Sequence, residues 1–196
     1  LGLRRQRQMC IRDRYKIDHK RIAVGRVEAG VIHKGARVKI LPGGQITTIN
    51  SIEKFLEDIN KAGPGECIGI TTADSVFLDR GYIICLPDAQ PILTDKINAN
   101  IFWMSKKDFT KDQKLTIRCA TQETSCKIET IHKRINSSTL EVISQDAEII
   151  KNLEVAEVTI NTKKPIAVKS FNDVQELGRF VLIQDENICA GGTIVV

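Results

Sequence analysis

The sequence predicts an all-β protein of many short strands in two consecutive units, and three observations lead to this fold class. Apolar and polar residues alternate with a period close to two along most of the 196 residues, which is typical of strands with one buried face. Turn-forming glycines and prolines recur at intervals that suit short antiparallel strands. The proline-flanked stretch LPDAQPIL divides the chain into two parts, each the size of one small barrel. Strands of this kind close into barrels or sandwiches.

The alternation identifies individual strands in both parts. In ARVKIL, Val38 and Ile40 alternate with charged neighbours, and KLTIRCA repeats the pattern. In CKIETIHKRI the apolar positions change parity between Ile128 and Ile131, which predicts a β-bulge. The best helix candidate is a short turn near SQDAEIIKNL. Turns between strands are predicted at HKG, PGG, AGPGE, LPDAQP and AGG.

The first residues differ in composition from the rest of the chain. RRQRQMCIRDR, at 4–14, holds five arginines and one aspartate but a single aliphatic residue, Ile11. The first interpretation is a nucleic-acid-binding arm, because arginine-rich segments are attracted to phosphate backbones. The second interpretation is a disordered native tail. A third interpretation is favoured, because codons for these residues also spell a transposase adapter used in sequencing libraries. We therefore interpret residues 1–14 as a non-native, disordered tail that is exposed to solvent.

Without this tail the chain is nearly neutral. The arginine-rich stretch contributes +4 of the formal net charge of +5, so bulk charge does not favour nucleic acid as a partner. No run approaches the roughly 18 apolar residues of a membrane span, and no membrane partner is expected. Apart from Cys10, the cysteines are scattered without C-x-x-C spacing, which predicts reduced, buried thiols in a cytoplasmic protein.

Two groups of motifs carry a resemblance to a known family. KRIAVGRVEAGVIHKGARVKILPGG followed by AGPGECIGI resembles the second domain of translational GTPases, the elongation factor Tu superfamily. INANIFWMSKKDF, STLEV, LEVAEVTINTKKPIAV and LGRFVLIQDENICAGGTIV resemble most the third domain of the GTPase subunit of bacterial sulfate adenylyltransferase. The resemblance covers essentially all of residues 20–196. It implies two consecutive small antiparallel β-barrels, a domain 2-like one at 15–90 and a domain 3-like one at 91–196.

The resemblance also implies a function for the parent protein. In that family the GTPase subunit couples GTP hydrolysis to the formation of adenosine 5′-phosphosulfate from ATP and sulfate, which a separate small subunit catalyses. GTP hydrolysis needs a phosphate loop with Lys-Ser/Thr, an acid that holds Mg²⁺ and a guanine-reading Asn-Lys-x-Asp motif, and the sequence contains none of these. We therefore expect GTP and Mg²⁺ to bind a missing N-terminal domain, and no cofactor or activity in this fragment alone.

Other candidate sites favour structural interpretations. Gly30 and Gly35 have the spacing of a phosphate loop, but Ala36 and Arg37 follow them and the segment joins two strands. The histidines are isolated in the sequence and are therefore expected at the surface. The paired acids of IQDEN are expected in a solvated hairpin turn. The tryptophan is expected in the barrel core or in an interdomain contact. These residues are His19, His33, His132, Asp185, Glu186 and Trp103.

The chain is therefore interpreted as the non-catalytic C-terminal part of such a GTPase subunit, working through protein contacts. Its expected partners are the missing N-terminal GTPase domain and the small catalytic subunit. Candidate contact residues are Arg26 and Glu28 in GRVEAG and Arg179 in LGRF. LGRF also suits archaeal and eukaryotic elongation factors, so a translation factor that binds tRNA or the ribosome is the first alternative. A β-barrel adaptor with no link to sulfur is the second.

Overall fold

The computed structural model describes residues 8–17, 20–54, 57–111 and 113–195. The chain divides after Pro91 into two units, each with its own apolar core. This division lies one residue from the boundary predicted between residues 90 and 91. The proline-flanked stretch thus separates two independently packed bodies, in keeping with its turn-forming composition.

The first unit is a closed antiparallel barrel. Its main sheet has the strand order β4-β9-β1-β2-β8-β5-β6, and pairing of β4 with β5 closes six of these strands into a ring. Two short strands, β3 and β7, pair with each other outside this sheet. The strands are β1 (Gln8–Ile17), β2 (Lys20–Ala29), β3 (Ile32–His33), β4 (Arg37–Leu41), β5 (Gln45–Lys54), β6 (Glu57–Ile59), β7 (Lys61–Ala62), β8 (Cys67–Thr72) and β9 (Ile83–Cys85).

The second unit is a closed barrel of the same kind. Its sheet has the order β12-β17-β18-β10-β16-β13-β14, and pairing of β12 with β13 closes the ring, leaving β14 at a free end. The strands and helix are β10 (Ile92–Trp103), β11 (Phe109–Thr110), β12 (Leu115–Cys119), β13 (Gln122–Asn136), β14 (Val142–Ala147), β15 (Ile149–Ile150), β16 (Glu154–Val168), α1 (Gln175–Gly178), β17 (Arg179–Gln184) and β18 (Asn187–Val195). Among the described residues, no helix is long and apolar enough to cross a membrane.

The period-two pattern identified β4 and β12 correctly. Val38 and Ile40 of β4 are buried in the first core, and alternate residues of β12 are buried in the second. The predicted bulge in β13 is also confirmed, because its pairing with β16 shifts register between Ile128 and Thr130. The bulge changes which side chains point inward, as the change of parity indicated.

The helical turn predicted near SQDAEIIKNL is wrong. Ser144 and Ala147 lie in β14 and pair with Arg134 and Ile131 of β13. The order of apolar and polar residues in this stretch fits both a helical turn and a strand. Pairing with β13 stabilises the strand. Among the described residues there is one helix, α1, a single turn at Gln175–Gly178 that was not predicted.

The prediction that residues 1–14 lie outside the fold is wrong for residues 8–14. These residues belong to β1, which pairs with β2 along one edge and with β9 along the other. Met9 and Ile11 alternate into the first core, and both are fully buried. The physical reason is that Met9 and Ile11, at i and i+2, both point into the core while the backbone of β1 pairs with β2 and β9. The burial of Ile11 counts against an adapter origin; residues 1–7 lie outside the described range.

One residue of β1 fits its position poorly. Gln8 is fully buried, and neither its Nε2 nor its Oε1 has a hydrogen-bond partner among the described residues. Gln122 of the second barrel provides the contrast, because its Nε2 donates to the carbonyl of Ala167 at 2.9 Å and its Oε1 accepts from the Ala167 amide at 2.7 Å. A buried amide without partners is destabilising, whereas a fully bonded one is tolerated.

We therefore predict opposite effects for two matched substitutions. Gln8→Leu should raise the free energy of unfolding by about 1–3 kcal/mol, because a side chain of similar size removes two unbonded polar atoms from the core. Gln122→Leu should lower it by a similar amount, because it leaves the backbone groups of Ala167 unbonded. Urea denaturation of the two variants measures both effects. A loss of stability in Gln8→Leu equal to that in Gln122→Leu would show that the Gln8 amide is bonded in solution.

Candidate interaction surfaces

The contact residues predicted in the first unit lie on β2. Arg26 and Glu28 are two residues apart in this strand, and the register against β1 shifts at Glu28. Nε of Arg26 lies 3.9 Å from a carboxylate oxygen of Glu28. The Arg26 side chain is 50% exposed and that of Glu28 only 10%. Arg26 is therefore the member of the pair that a partner can reach, and Glu28 is placed to orient it.

A second charged group lies beside this pair and was not predicted. The carboxylate of Glu66 accepts a hydrogen bond from Nζ of Lys54 at 2.6 Å and another from the amide of Gly63. The bond from Lys54 and then that from Gly63 lower the pKa of Glu66 below its ordinary value. A Cβ placed on Gly65 would lie 3.9 Å from Nη2 of Arg26, so the turn and the arginine form one charged corner of the barrel.

Arg179 lies at the start of β17 in the second unit. The preceding Gly178 packs so closely on Phe171 that a Cβ at this position would lie 2.3 Å from the Phe171 backbone, which only glycine permits. β17 begins at the next residue, Arg179. Nη2 of Arg179 lies 3.1 Å from Oε1 of Glu176, while the arginine side chain is 57% exposed. An exposed pair of this kind contributes at most about 1 kcal/mol, so the guanidinium is available to a partner.

The surface positions predicted for several other residues are confirmed where the structure describes them. His33 and His132 are exposed, and His19 lies outside the described residues. Asp185 and Glu186 are exposed at the turn between β17 and β18. Within the described part of the chain, no cluster of three or more His, Cys, Asp or Glu side chains is arranged to hold a metal ion.

Trp103 is part of the second core and not an exposed platform. Its side chain is fully buried, and its ring centroid lies 5.4 Å from that of Phe109. The indole Nε1 donates to the carbonyl of Lys107 at 2.8 Å, which satisfies its one polar atom. The core prediction is thus confirmed.

The cysteines agree with the prediction except at one position. No disulfide joins the six, all of which lie in the described residues. Burial raises the pKa of Cys119 to about 12, and burial followed by the nearby Cys189 raises that of Cys126 to about 12. Burial likewise raises the pKa of Cys189 to about 11. Cys67 is exposed at the start of β8, so its predicted burial is wrong.

A row of apolar side chains crosses the outer face of the second barrel, and it was not predicted. Phe102 pairs with Val155. Ile135 pairs with Val155 on one side and with Val142 on the other. Directly opposed residues of antiparallel strands point to the same face. Ile101, which precedes Phe102, is buried in the core, so this row points away from it.

The row continues across the next two strands. Phe102 also pairs with Gly191, and Gly191 pairs with Val181. The methyl group of Met104 covers the bare glycine, since it lies 3.8 Å from the position of a Cβ there. Val142 is 52% exposed and Met104 43% exposed, while the other members are half-buried. We call this row the apolar belt; its members are Phe102, Met104, Ile135, Val142, Val155 and Val181.

A buried ion pair fixes the end of the barrel next to the belt. Nε and Nη2 of Arg134 donate to the two carboxylate oxygens of Glu154 at 2.8 and 2.6 Å, and the side chains are 13% and 11% exposed. Nη1 of Arg134 also lies 3.4 Å from the hydroxyl of Ser144 in β14. Burial by itself raises the pKa of Glu154, but the bonds from Arg134 and from the Lys151 amide outweigh it and lower the pKa. The pair therefore ties β13, β14 and β16 together.

Two family models match the chain, one in each unit. Residues 20–85 match the model described as elongation factor Tu domain 2. Residues 96–195 match the model described as GTP-eEF1A C-terminal domain-like.

Curated relatives and solved structures agree with these matches. Sulfate adenylyltransferase subunit 1 of Tolumonas auensis is 32% identical over 174 residues, covering 88% of this chain and 36% of that protein. The same subunit of Aeromonas salmonicida is 27% identical over 173 residues, with the same coverage. The chain thus spans about a third of the length of these relatives. The crystal structure of Sup35 complexed with GDP is similar over 97% of this chain and 47% of that one, with a TM-score of 0.88 and 20% identity, which shows a shared fold.

The Arg134–Glu154 pair generates a testable stability prediction. Glu154→Gln should lower the free energy of unfolding at pH 7 by about 3 kcal/mol, because it leaves the Arg134 guanidinium largely buried without its counter-charge. The lowered pKa means that the carboxylate stabilises the fold fully above its ordinary value of 4.5 and loses this effect as pH falls through the lower folded-state value. The difference in free energy of unfolding between parent and variant should therefore shrink as the pH falls below 4.5.

Urea denaturation from pH 7 down to pH 3 measures this difference. The matched control is Glu123→Gln, because Glu123 pairs with Arg118 at 2.9 Å but both side chains are about half exposed. That substitution should cost less than about 1 kcal/mol at any pH. A Glu154→Gln difference that stays constant across the range would rule out the ionised carboxylate as its source.

Proposed function

The chain belongs to the GTP-eEF1A C-terminal domain-like family, and from this premise we propose that its two barrels are the non-catalytic part of a sulfate adenylyltransferase GTPase subunit. The observation that carries the proposal is the similarity to sulfate adenylyltransferase subunit 1 over 88% of the chain. The order of the two matched domains supports it, because a domain 2-type barrel is followed directly by a domain 3-type barrel. The fold likeness to Sup35 does not favour a translation role, since it reports fold alone.

In this proposal GTP is bound and hydrolysed elsewhere in the parent protein. The sequence contains no Lys-Ser/Thr phosphate loop and no Asn-Lys-x-Asp motif, so GTP and Mg²⁺ belong to a nucleotide-binding domain that precedes the two barrels. A small catalytic subunit forms adenosine 5′-phosphosulfate from ATP and sulfate. The barrels have no catalytic activity of their own, and the assembly works in the cytoplasm.

The barrels contribute binding energy and geometry. Each has a closed sheet and its own core, so each moves as a rigid body when a neighbouring domain changes its conformation. Coupling between GTP hydrolysis and the partner's reaction requires surfaces that contact the nucleotide-binding domain more in one nucleotide state than in the other. Our candidates are Arg26, supported by Glu28, and Arg179, because both arginine side chains are at least half exposed and lie in strands.

The first prediction from this proposal concerns nucleotide binding. The purified chain should show no saturable binding of GTP in isothermal titration calorimetry, with or without Mg²⁺, because the groups that hold the γ-phosphate and the metal are missing from the sequence. Micromolar binding would contradict the assignment of GTP to another domain.

The second prediction concerns the contact residues. In an intact parent protein, Arg179→Ala and Glu28→Ala should weaken the stimulation of GTP hydrolysis by the small subunit several-fold, while GTP affinity stays at the parent level. Lys34→Ala is the matched control, since Lys34 forms an exposed pair with Asp58 at 2.7 Å but is not a candidate contact. Unchanged stimulation and subunit affinity in both variants would show that the contact residues lie elsewhere, while the domain assignment would stand.

A further inference from the structure

Among the described strands of the second barrel's main sheet, β14 is the one that lies outside the closed ring. Pairing of β12 with β13 closes the ring, and β14 continues the sheet beyond this point. β13 pairs with β12 from Gln122 to Cys126 and with β14 from Ile131 to Ile135. The pairings that close the ring therefore include none made by β14.

The side chains of β14 contribute little to the core. None of its six residues is buried, and Val142 and Ile143 are exposed to solvent. Ala147 packs partly buried against the second core. In β12, by contrast, three of five residues are buried, at Leu115, Ile117 and Cys119. Elements with few buried apolar contacts open at a smaller free-energy cost than the rest of a fold, and β14 is such an element.

Hydrogen bonds outside the ladder hold β14 weakly. Within the described part of the chain, β14 makes one hydrogen bond besides its pairing with β13, from Nη1 of Arg134 to the hydroxyl of Ser144 at 3.4 Å. This distance exceeds the usual value of about 3.0 Å. The same guanidinium makes its short bonds, at 2.8 and 2.6 Å, to Glu154 of β16. Arg134 is thus bound to the ring and keeps its ion pair if β14 leaves.

Two residues with left-handed backbone bracket the exposed part of this strand. Leu140 has a φ angle of 60° and Asp146 one of 48°. A leucine in this conformation is strained, whereas an aspartate tolerates it. The chain is fixed on either side of these bends, because the hydroxyl of Ser137 donates to the carbonyl of Leu153 at 2.6 Å and Ile150 is fully buried. Residues 140–146 therefore lie between two bends whose outer ends are held.

We infer that residues 140–146 form a flap that opens while the six-stranded ring stays closed. Opening breaks the ladder between β14 and β13 and relieves the strain at Leu140. It also uncovers the backbone edge of β13 from Ile131 to Ile135, and an uncovered edge can pair with another strand. The inference concerns the second barrel alone and does not depend on the proposed function. It adds a part that changes conformation to a ring that moves as a rigid body.

Hydrogen exchange of the purified chain, followed by NMR at several urea concentrations, tests the inference. The amides of β14 that bond to β13 should exchange about a hundredfold or more faster than the bonded amides of β10 and β16, after correction for intrinsic rates, because opening costs only part of the global free energy. Their exchange should also depend less on urea, since opening of the flap exposes less surface than unfolding of the barrel.

Two glycine variants test the bend at Leu140. Leu140→Gly should slow exchange of the β14 amides several-fold, because glycine adopts this φ angle without strain and the closed flap is thereby favoured. The matched control is Ala120→Gly, since Ala120 has a φ angle of 53° in the turn between β12 and β13, which belongs to the ring. This variant should change exchange in β14 by less than about twofold.

Three results would overturn the inference. Equal exchange and equal urea dependence in β14 and β16 would show that β14 opens only when the whole barrel unfolds. Exchange in β12 as fast as in β14 would show that the ring opens together with the flap. Equal effects of the two glycine variants on β14 would show that the bend at Leu140 does not control opening.

Discussion

Closure of each sheet on itself is the constraint on which the structure depends. A strand at the end of an open sheet exposes unpaired backbone groups, and a ring of strands has no such end. Closure also determines the direction of each side chain, because a shift of one residue in register would exchange the inner and outer faces of a whole strand. The two cores, the outward position of Arg26 and Arg179 and the course of the apolar belt all follow from these registers.

In the second barrel closure depends on one long strand. β13 pairs with β12 in its first half and with β14 in its second half, while β16 lies along its other side. Two register shifts against β16, after Ile128 and after Ile131, allow the strand to bend from one partner to the next. After the bend Ile135 points outward, where it becomes part of the belt, and Arg134 forms its ion pair with Glu154. These two register shifts thus place both an ordered end of the barrel and an apolar strip on its surface.

The sequence predicted the elements with regular alternation and missed those without it. Val38, Ile40 and the bulge near Ile128 were predictable because period two, or a break in it, is visible along the chain. The outward position of Phe102 was not, because it stands between Ile101 and Trp103 in an uninterrupted apolar run, where alternation cannot tell inside from outside. The tail was misjudged because the match of its codons to an adapter was given more weight than the i and i+2 spacing of Met9 and Ile11. The ion pairs of Glu66 and Glu154 join residues distant in sequence, and charge patterns along one chain contain no information on such pairings.

The place of β1 has a consequence for how the first barrel assembles. β1 can pair with β2 as soon as this hairpin has been synthesised, since the two strands are adjacent in the chain. Its other edge stays unpaired until β9 has been synthesised, because β9 lies between β1 and β4 and places Cys85 opposite Gln8. Contacts between such distant residues form slowly, and an unpaired edge is open to wrong partners while it waits. β1 is synthesised before the other described strands of this barrel and is therefore among the last to be enclosed, and the speed with which residues 83–85 arrive limits how long the nascent barrel stays open.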